Sequence, residues 1–183
     1  AFDSAGNLYA TSASTCAVYK RSSGGGPWQS ISSGTGIENL DFGGIAVDPR
    51  DNVYVTTQNE NKIYVLPANT TVWQDITYSG GFHYPIGIAA DDDGNIYVCD
   101  TQNWKVKTLP VGSTQWQDIS PLDSFSLPYG ITVDSNGNLY VADYFYVKKH
   151  LAAAPDPNLK TITVNSAAHG SVTVKVDNSP VSQ

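Results

Sequence analysis

Residues 87–99, Gly-Ile-Ala-Ala-Asp-Asp-Asp-Gly-Asn-Ile-Tyr-Val-Cys, decide the fold, because the chain spells a version of them four times. Gly44-Ile-Ala-Val-Asp-Pro-Arg-Asp-Asn-Val-Tyr-Val-Thr56 and Gly130-Ile-Thr-Val-Asp-Ser-Asn-Gly-Asn-Leu-Tyr-Val-Ala142 stand 43 residues either side. Ala1-Phe-Asp-Ser-Ala-Gly-Asn-Leu-Tyr-Ala-Thr11 is a fourth copy that begins inside the pattern, Ala1 aligning with Ala46. The four tyrosines, Tyr9, Tyr54, Tyr97 and Tyr140, step by 45, 43 and 43. A second landmark keeps the same period: Trp28-Gln-Ser-Ile31, Trp73-Gln-Asp-Ile76 and Trp116-Gln-Asp-Ile119. Two landmarks in phase identify a repeat architecture.

Each unit reads as four short strands. Gly-Ile-Ala-Val is the first and Asn-Val-Tyr-Val the second, with an Asp/Asn/Gly turn between them. Ala17-Val18-Tyr19, Lys62-Ile63-Tyr64-Val65 and Lys105-Val106-Lys107-Thr108 give the third, and the Trp-Gln-Asp-Ile run the fourth. The second strand is apolar without alternation, which implies burial on both faces. The fourth alternates and reads as a half-exposed edge, Trp116 and Asp118 on one face and Gln117 and Ile119 on the other. Small sheets with apolar inner strands and a polar outer edge stack around an axis as propeller blades. No segment sustains a 3.6-residue period, and the Leu151–Ala154 run meets Pro155 and Pro157 at once. The expectation is an all-β chain, a β-propeller of about four four-stranded blades.

Tyr84-Pro-Ile-Gly-Ile-Ala89, Asp91 to Asn95, Ile96-Tyr-Val-Cys-Asp100 and Lys105-Val-Lys107 resemble NHL-type repeats. The nearest likeness is to extracellular sensor domains of bacterial receptor kinases and to secreted streptogramin-lyase-like propellers. Leu109-Pro-Val-Gly-Ser-Thr114 resembles the linker before the outer strand in those sensors. The resemblance implies a secreted or cell-surface bacterial chain. That family usually builds six blades, whereas four periods nearly exhaust this chain, so the expected object is partial or open. A closed four-blade ring, an open arc and an assembly of arcs all fit the sequence. The units are expected at about 1–43, 44–86, 87–129 and 130–165, with a β-tail at 166–183. Lys160-Thr-Ile-Thr-Val164 is a candidate for the missing outer strand of the fourth unit, where no Trp occurs. Thr161 to Val176 resembles the start of short β-repeats in bacterial surface proteins, and so a stub of a following domain.

Composition excludes several roles. The 183 residues carry 10 Lys+Arg against 17 Asp+Glu, a net charge of −7 with no basic run, so neither nucleic acid nor an anionic membrane surface is an expected partner. No apolar run is long enough to span a bilayer. The chain opens at Ala1 without Met or a leader, which reads as a processed product or an excised piece. Cys16 and Cys99 are too few for a disulfide scaffold and fit no metal spacing; each is expected as a buried free thiol within an apolar strand, in non-adjacent units.

The strand order gives the stack two ends. One end carries the first-to-second turns with Asp3, Asp48, Asp91, Asp92, Asp93 and Asp134, which lack the alternating carboxylates and closing Glu of a calcium loop and read as turns. The other end, the mouth, carries the second-to-third and interblade loops. There stand Phe42, Phe82, His83, Tyr84, Trp104 and Phe125, then Tyr129 and the Tyr144-Phe145-Tyr146 run, among Glu38, Asn59, Glu60, Asp100, Asn103 and Asp143. Tyr84 and Tyr129, each beside a Pro, are expected mainly to pack between blades. Aromatic faces with adaptable polar neighbours suit a protein, peptide or carbohydrate ligand. The expected ligand-binding set is Trp104, Tyr144, Tyr146, Phe82, His83 and Asp100, with no cofactor and with self-association as a way to complete the ring.

Catalysis finds less support. Of His83, His150 and His169 only His83 lies in a mouth loop, where it could act as a base beside Glu38 or Asp100. The resemblance to streptogramin lyases implies His and Glu with a metal, and that to gluconolactonase-like propellers a Glu/Asn/Asp set around a divalent ion. Glu38 and Glu60 are the only glutamates, so neither set maps onto this sequence. A metal-dependent lyase or lactonase and a surface-protein spacer are the alternatives to a non-catalytic binding module.

Overall fold

The computed structural model describes residues 1–120 and 125–150, and the backbone strands 162–166 and 172–176. Four antiparallel sheets follow one another along the chain. The first holds β1 (Leu8–Ser12), β2 (Ala17–Arg21) and β3 (Gln29–Ser30). The second holds β4 (Phe42–Val47), β5 (Val53–Thr57), β6 (Lys62–Leu66) and β7 (Gln74–Asp75). The third repeats it as β8 (Pro85–Ala90), β9 (Ile96–Asp100), β10 (Lys105–Leu109) and β11 (Gln117–Asp118). The fourth has β12 (Pro128–Val133), β13 (Leu139–Asp143) and β14 (Tyr146–His150). In each, sequential strands are neighbours, and the whole is an all-β, partial β-propeller.

Two strands depart from expectation. β15 (Ile162–Ser166) pairs with β16 (Val172–Val176) in a separate two-stranded sheet, so residues 162–164 do not complete the fourth blade through hydrogen bonds to β14. In the first blade the innermost strand is a stump: Phe2 bridges Leu8, and Ala1 and Tyr9 exchange backbone hydrogen bonds of 3.0 and 2.8 Å. The Leu151–Ala154 run, and residues 167–171 (His169 among them) and 177–183 of the tail, lie outside the described residues.

One turn, built four times, sets the blade geometry. In the third blade Asp91 Oδ1 accepts the N–H groups of Asp93 (3.1 Å) and Asn95 (2.8 Å), while Oδ2 accepts Asn95 Nδ2 (2.8 Å) and the Tyr97 hydroxyl (2.9 Å). The same four bonds join Asp3 to Ala5, Asn7 and Tyr9, Asp48 to Arg50, Asn52 and Tyr54, and Asp134 to Asn136, Asn138 and Tyr140. The carboxylate ties the turn to the second strand, satisfying backbone donors that no strand partner reaches. The slot before the Asn needs a left-handed backbone, with φ of +76° at Gly6, +64° at Asp51, +91° at Gly94 and +78° at Gly137. The Asn side chain then reaches onward: its Oδ1 accepts the N–H of Ser23, Ala68 or Val111 in the third-to-fourth connection.

Blades pack face to face, with one layer of apolar side chains between each pair. Tyr9 and Val18 of the first meet Phe42, Val55 and Trp73; Ile63 and Ile76 of the second meet Phe82, Ile88 and Val98; Cys99 and Val106 of the third meet Phe125 and Val141. The inner strands approach so closely that a Cβ on Gly44 would lie 2.7 Å from the Ile86 carbonyl, and one on Gly87 2.6 Å from that of Tyr129. Side-chain donors then bond across the seam. Thr11 and Thr56 hydroxyls donate to the carbonyls of Gly43 (3.1 Å) and Ile86 (2.7 Å). Trp73 and Trp116 point Nε1–H back to the carbonyls of Ile31 (3.0 Å) and Ile76 (2.9 Å) in the preceding blade. The outer strand is thus two exposed residues long, and its Trp clamps the previous blade instead of lining a half-exposed edge.

Trp73→Ala should therefore lower stability by about 3–5 kcal/mol in urea unfolding, since it empties a buried site and removes a seam hydrogen bond. A pH series tests the turns. Burial pushes the Asp91 carboxyl up, but the donors of Asn95, Tyr97 and Asp93 outweigh it and hold it below the ordinary carboxylate range. The Asn138 side chain and the turn amides do the same for Asp134. With folded values depressed, their stabilisation is complete at neutral pH and is lost as pH falls below about 4. The melting temperature should drop through that window, less steeply in Asp91→Asn.

Candidate functional site

The second-to-third turn gives each of the first three blades a four-residue loop at the mouth: residues 13–16, 58–61 and 101–104. Its last position is left-handed, with φ of +48° at Cys16, +57° at Asn61 and +57° at Trp104. Asn suits such a slot, whereas an indole places its Cβ against the following carbonyl at a cost of roughly 1–2 kcal/mol. Trp104 tolerates that conformation with 60% of its surface exposed, so burial does not explain the residue. In the fourth blade the loop shrinks to Tyr144-Phe145, with Tyr144 at φ +44°. Tyr144, Phe145 and Tyr146 are all exposed, and the first two rings meet edge-on at 4.0 Å.

A strap from the interblade connection lies beneath these turns. Asp100 is fully buried and accepts the His83 backbone N–H (2.7 Å) and Asn103 Nδ2 (2.8 Å), with its charge paired to Lys107. Lys107 Nζ also donates to the Gly80 and Gly81 carbonyls and sits 4.7 Å from the Phe82 ring centre. Phe82 is buried and meets Trp116 edge-on at 4.9 Å. The fourth blade repeats the unit. Asp143 accepts Ser126 (2.8 Å) and Leu127 (2.6 Å) N–H groups and pairs with Lys148 at 2.8 Å, which lies over the Phe125 ring. Burial pushes the Asp143 carboxyl up, but Lys148 and the two amides hold it below the usual range.

These contacts correct part of the expected binding set. Phe82 and Asp100 hold the strap in place and offer no free surface; Phe42 and Phe125 are likewise core residues. Of the two partners considered for His83 in the catalytic alternative, Asp100 meets the His83 backbone N–H and is paired with Lys107. His83 itself is exposed, and its carbonyl accepts the Gln102 N–H at 3.0 Å, which seats it beside the turn bearing Trp104. Tyr84 is half-buried, bonded through its N–H to Asn61 Oδ1 (2.6 Å), whereas Tyr129 is exposed. Glu38 folds onto its own loop, where its own amide and those of Gly36 and Thr35 keep its carboxyl below the usual range. Cys99 is buried as expected, its thiol pushed up to about 12 by burial, but Cys16 ends a turn and is only half-buried; both are free thiols. Lys107 and Lys148 escaped the sequence reading, although each follows a repeated Asp by a few residues on a third strand.

At the opposite end, a 510 Å³ hollow between the third and fourth blades is lined by Asp92, Asp93, Asp134, Asn136 and His150. Among the described residues no three His, Cys, Asp or Glu side chains come together to hold a metal. None of the described helices is long and apolar enough to cross a membrane.

Residues 82–107 match the NHL repeat, and residues 126–142 match a β-propeller repeat. No curated protein sequence matches the chain. Among solved structures, a streptogramin B lyase superposes with a TM-score of 0.64 at 16% identity over 89% of this chain, which spans 57% of that protein. A structure of a nidogen/laminin complex gives 0.66 at 23% identity, covering 91% of this chain and 67% of its match. A gluconolactonase from Xanthomonas campestris gives 0.68 at 14% identity, covering 82% and 57%. All three share the propeller fold with this chain.

Two measurements check the strap and the thiols. Lys107→Ala leaves Asp100 buried without its cation and should cost about 3–5 kcal/mol in chemical unfolding. In the native protein a maleimide should label Cys16 and leave Cys99 untouched until denaturant is added, read by mass spectrometry.

Proposed function

We propose that this propeller arc is a binding module that engages a protein or peptide through the mouth-side turns of its third and fourth blades. The carrying observation is Trp104, a large ring held exposed in a left-handed slot where the equivalent residue of the second blade is Asn61. Tyr144, Phe145 and Tyr146 extend the aromatic surface, and His83, Gln102 and Asn59 supply polar neighbours. Exposed aromatic anchors ringed by polar groups are what protein interfaces use for most of their binding energy. The anchors stand on turns braced from below by the Asp100–Lys107 and Asp143–Lys148 pairs, so little order remains to be imposed on binding. The nidogen propeller, solved with laminin, supports a protein partner by analogy of fold. Location outside a bacterial cell belongs to the same proposal and draws on the likeness to receptor-kinase sensor domains.

Peptides selected from a displayed random library on the immobilised chain test this reading. Their affinity, measured by calorimetry, should fall about thirtyfold in Trp104→Ala and in Tyr144→Ser, and stay unchanged in Asp92→Ala at the opposite end. Equal affinity for the wild type and both mouth variants would remove this surface from consideration.

A further inference from the structure

The repeat is an internal control: a residue that every blade carries is one the frame requires, and a departure in one blade needs another cause. The second blade departs twice. The turn position that is Ala5, Asp93 and Asn136 in the other blades is Arg50, held by the same backbone bond to the turn aspartate. Five residues beyond the outer-strand Trp, where the first blade has Ser33 and the third Pro121, the second has Tyr78. Packing explains neither side chain. Arg50 is exposed, and Tyr78 is 50% exposed at a φ of +44°, a left-handed slot that disfavours a large side chain.

Both departures line one hollow. At the end opposite the mouth, between the second and third blades, a 430 Å³ space is bordered by Arg50, Tyr54, Gln74 and Tyr78 on one side and by Leu109 and Val111 on the other. The guanidinium lies across the next blade's turn, where a Cβ on Gly94 would collide with Nη1. Among the described residues its one hydrogen bond runs 3.4 Å from Nη1 to the Asp93 carbonyl, and it enters no ion pair. Asp48 also lines the hollow, but its carboxylate is buried and already accepts the Arg50 and Asn52 backbone N–H groups, Asn52 Nδ2 and the Tyr54 hydroxyl. The hollow therefore presents a cation with most of its five N–H donors unused, next to a half-exposed phenol ring. One seam further on, the equivalent hollow has Asp93 in place of Arg50 and adds Asp92 and Asp134, so the charge reverses within the same fold.

We infer that the hollow between the second and third blades binds a small organic anion. Its carboxylate pairs with the Arg50 guanidinium through two parallel N–H···O bonds, and its ring lies on Tyr78. The volume falls in the range of small-molecule sites. This site lies at the opposite end from the mouth and does not depend on the function proposed there.

The chain holds two arginines, so its side-chain Nε–Hε spectrum contains two signals. Arg21, whose Nε donates to the Gly26 carbonyl at 3.0 Å, is the internal reference. The nitrogen-15-labelled protein is titrated separately with glucuronate, benzoate, inorganic phosphate and glucose. The Arg50 signal should move saturably with glucuronate or benzoate, which distinguishes a sugar ring from an aromatic one, while Arg21 stays in place. Glucose, which lacks the carboxylate, should move neither. Backbone amide shifts of Gly94 and Val111 give the dissociation constant, which should rise at least about tenfold in Arg50→Asn and about threefold in Tyr78→Ser. Each variant carries the residue that another blade uses at that position, and unchanged melting confirms that it folds. Trp104→Ala should bind as the wild type does. A saturable shift with neither carboxylate, an equal affinity for inorganic phosphate, or an affinity unchanged in Arg50→Asn would each overturn the proposal.

Discussion

A blade of this chain has two apolar faces and only three or four short strands between them, so no blade can hide its own surface. Everything else follows from that. The valines and isoleucines of the second and third strands point alternately forward and backward, and each reaches full burial only when a neighbour arrives on that side. Small residues set how near the neighbour comes: glycine on the inner strand lets two backbones touch, and larger side chains outward open the wedge that turns a stack into an arc. Polar side chains bond across the first two seams, threonine hydroxyls near the axis and indole N–H groups at the rim. A seam so built is apolar in area and hydrogen-bonded at its margins.

The ends of the stack divide the labour. At one end the same Asp, Asn and Tyr close the same turn in each blade, and neighbouring turns are tied sideways by Ser4 to Asp51 and by Arg50 to the Asp93 carbonyl. Invariance there is what a frame requires. At the mouth the loops differ in length and chemistry from blade to blade, while the Asp–Lys pairs of the third and fourth blades keep their connections fixed. Variation over a rigid support is the usual arrangement of a recognition surface.

The period of 43 made the strands, the turns and the all-β architecture readable before any coordinates, because the constraint acts on every copy alike. Asp3, Asp48, Asp91 and Asp134 were readable as turn residues for that reason. What escaped was whatever depends on the neighbouring blade. Trp116 alternates with Gln117 as an edge residue would, and nothing local reveals that its ring crosses to the Ile76 carbonyl. Phe82 occurs in a loop and Asp100 at the mouth end of a strand, where both look available in the sequence, yet a lysine seven residues beyond Asp100 reaches back to both. Cys16 sits beside Ala17-Val18-Tyr19 and reads as strand, whereas its backbone is the left-handed end of a turn. That Trp104 and Tyr144 stand exposed on turns was readable because turn residues seldom carry large rings, and that signal is compositional.

The indole clamps all point the same way, each towards the carbonyl of the unit made before it. A nascent chain leaving the ribosome therefore offers each new blade a finished acceptor, and no blade has to wait for a later one to satisfy its Trp. Vectorial synthesis and the directionality of the clamp run in parallel, so the arc can be laid down one unit at a time, with the newest blade always the one whose rear face is wet.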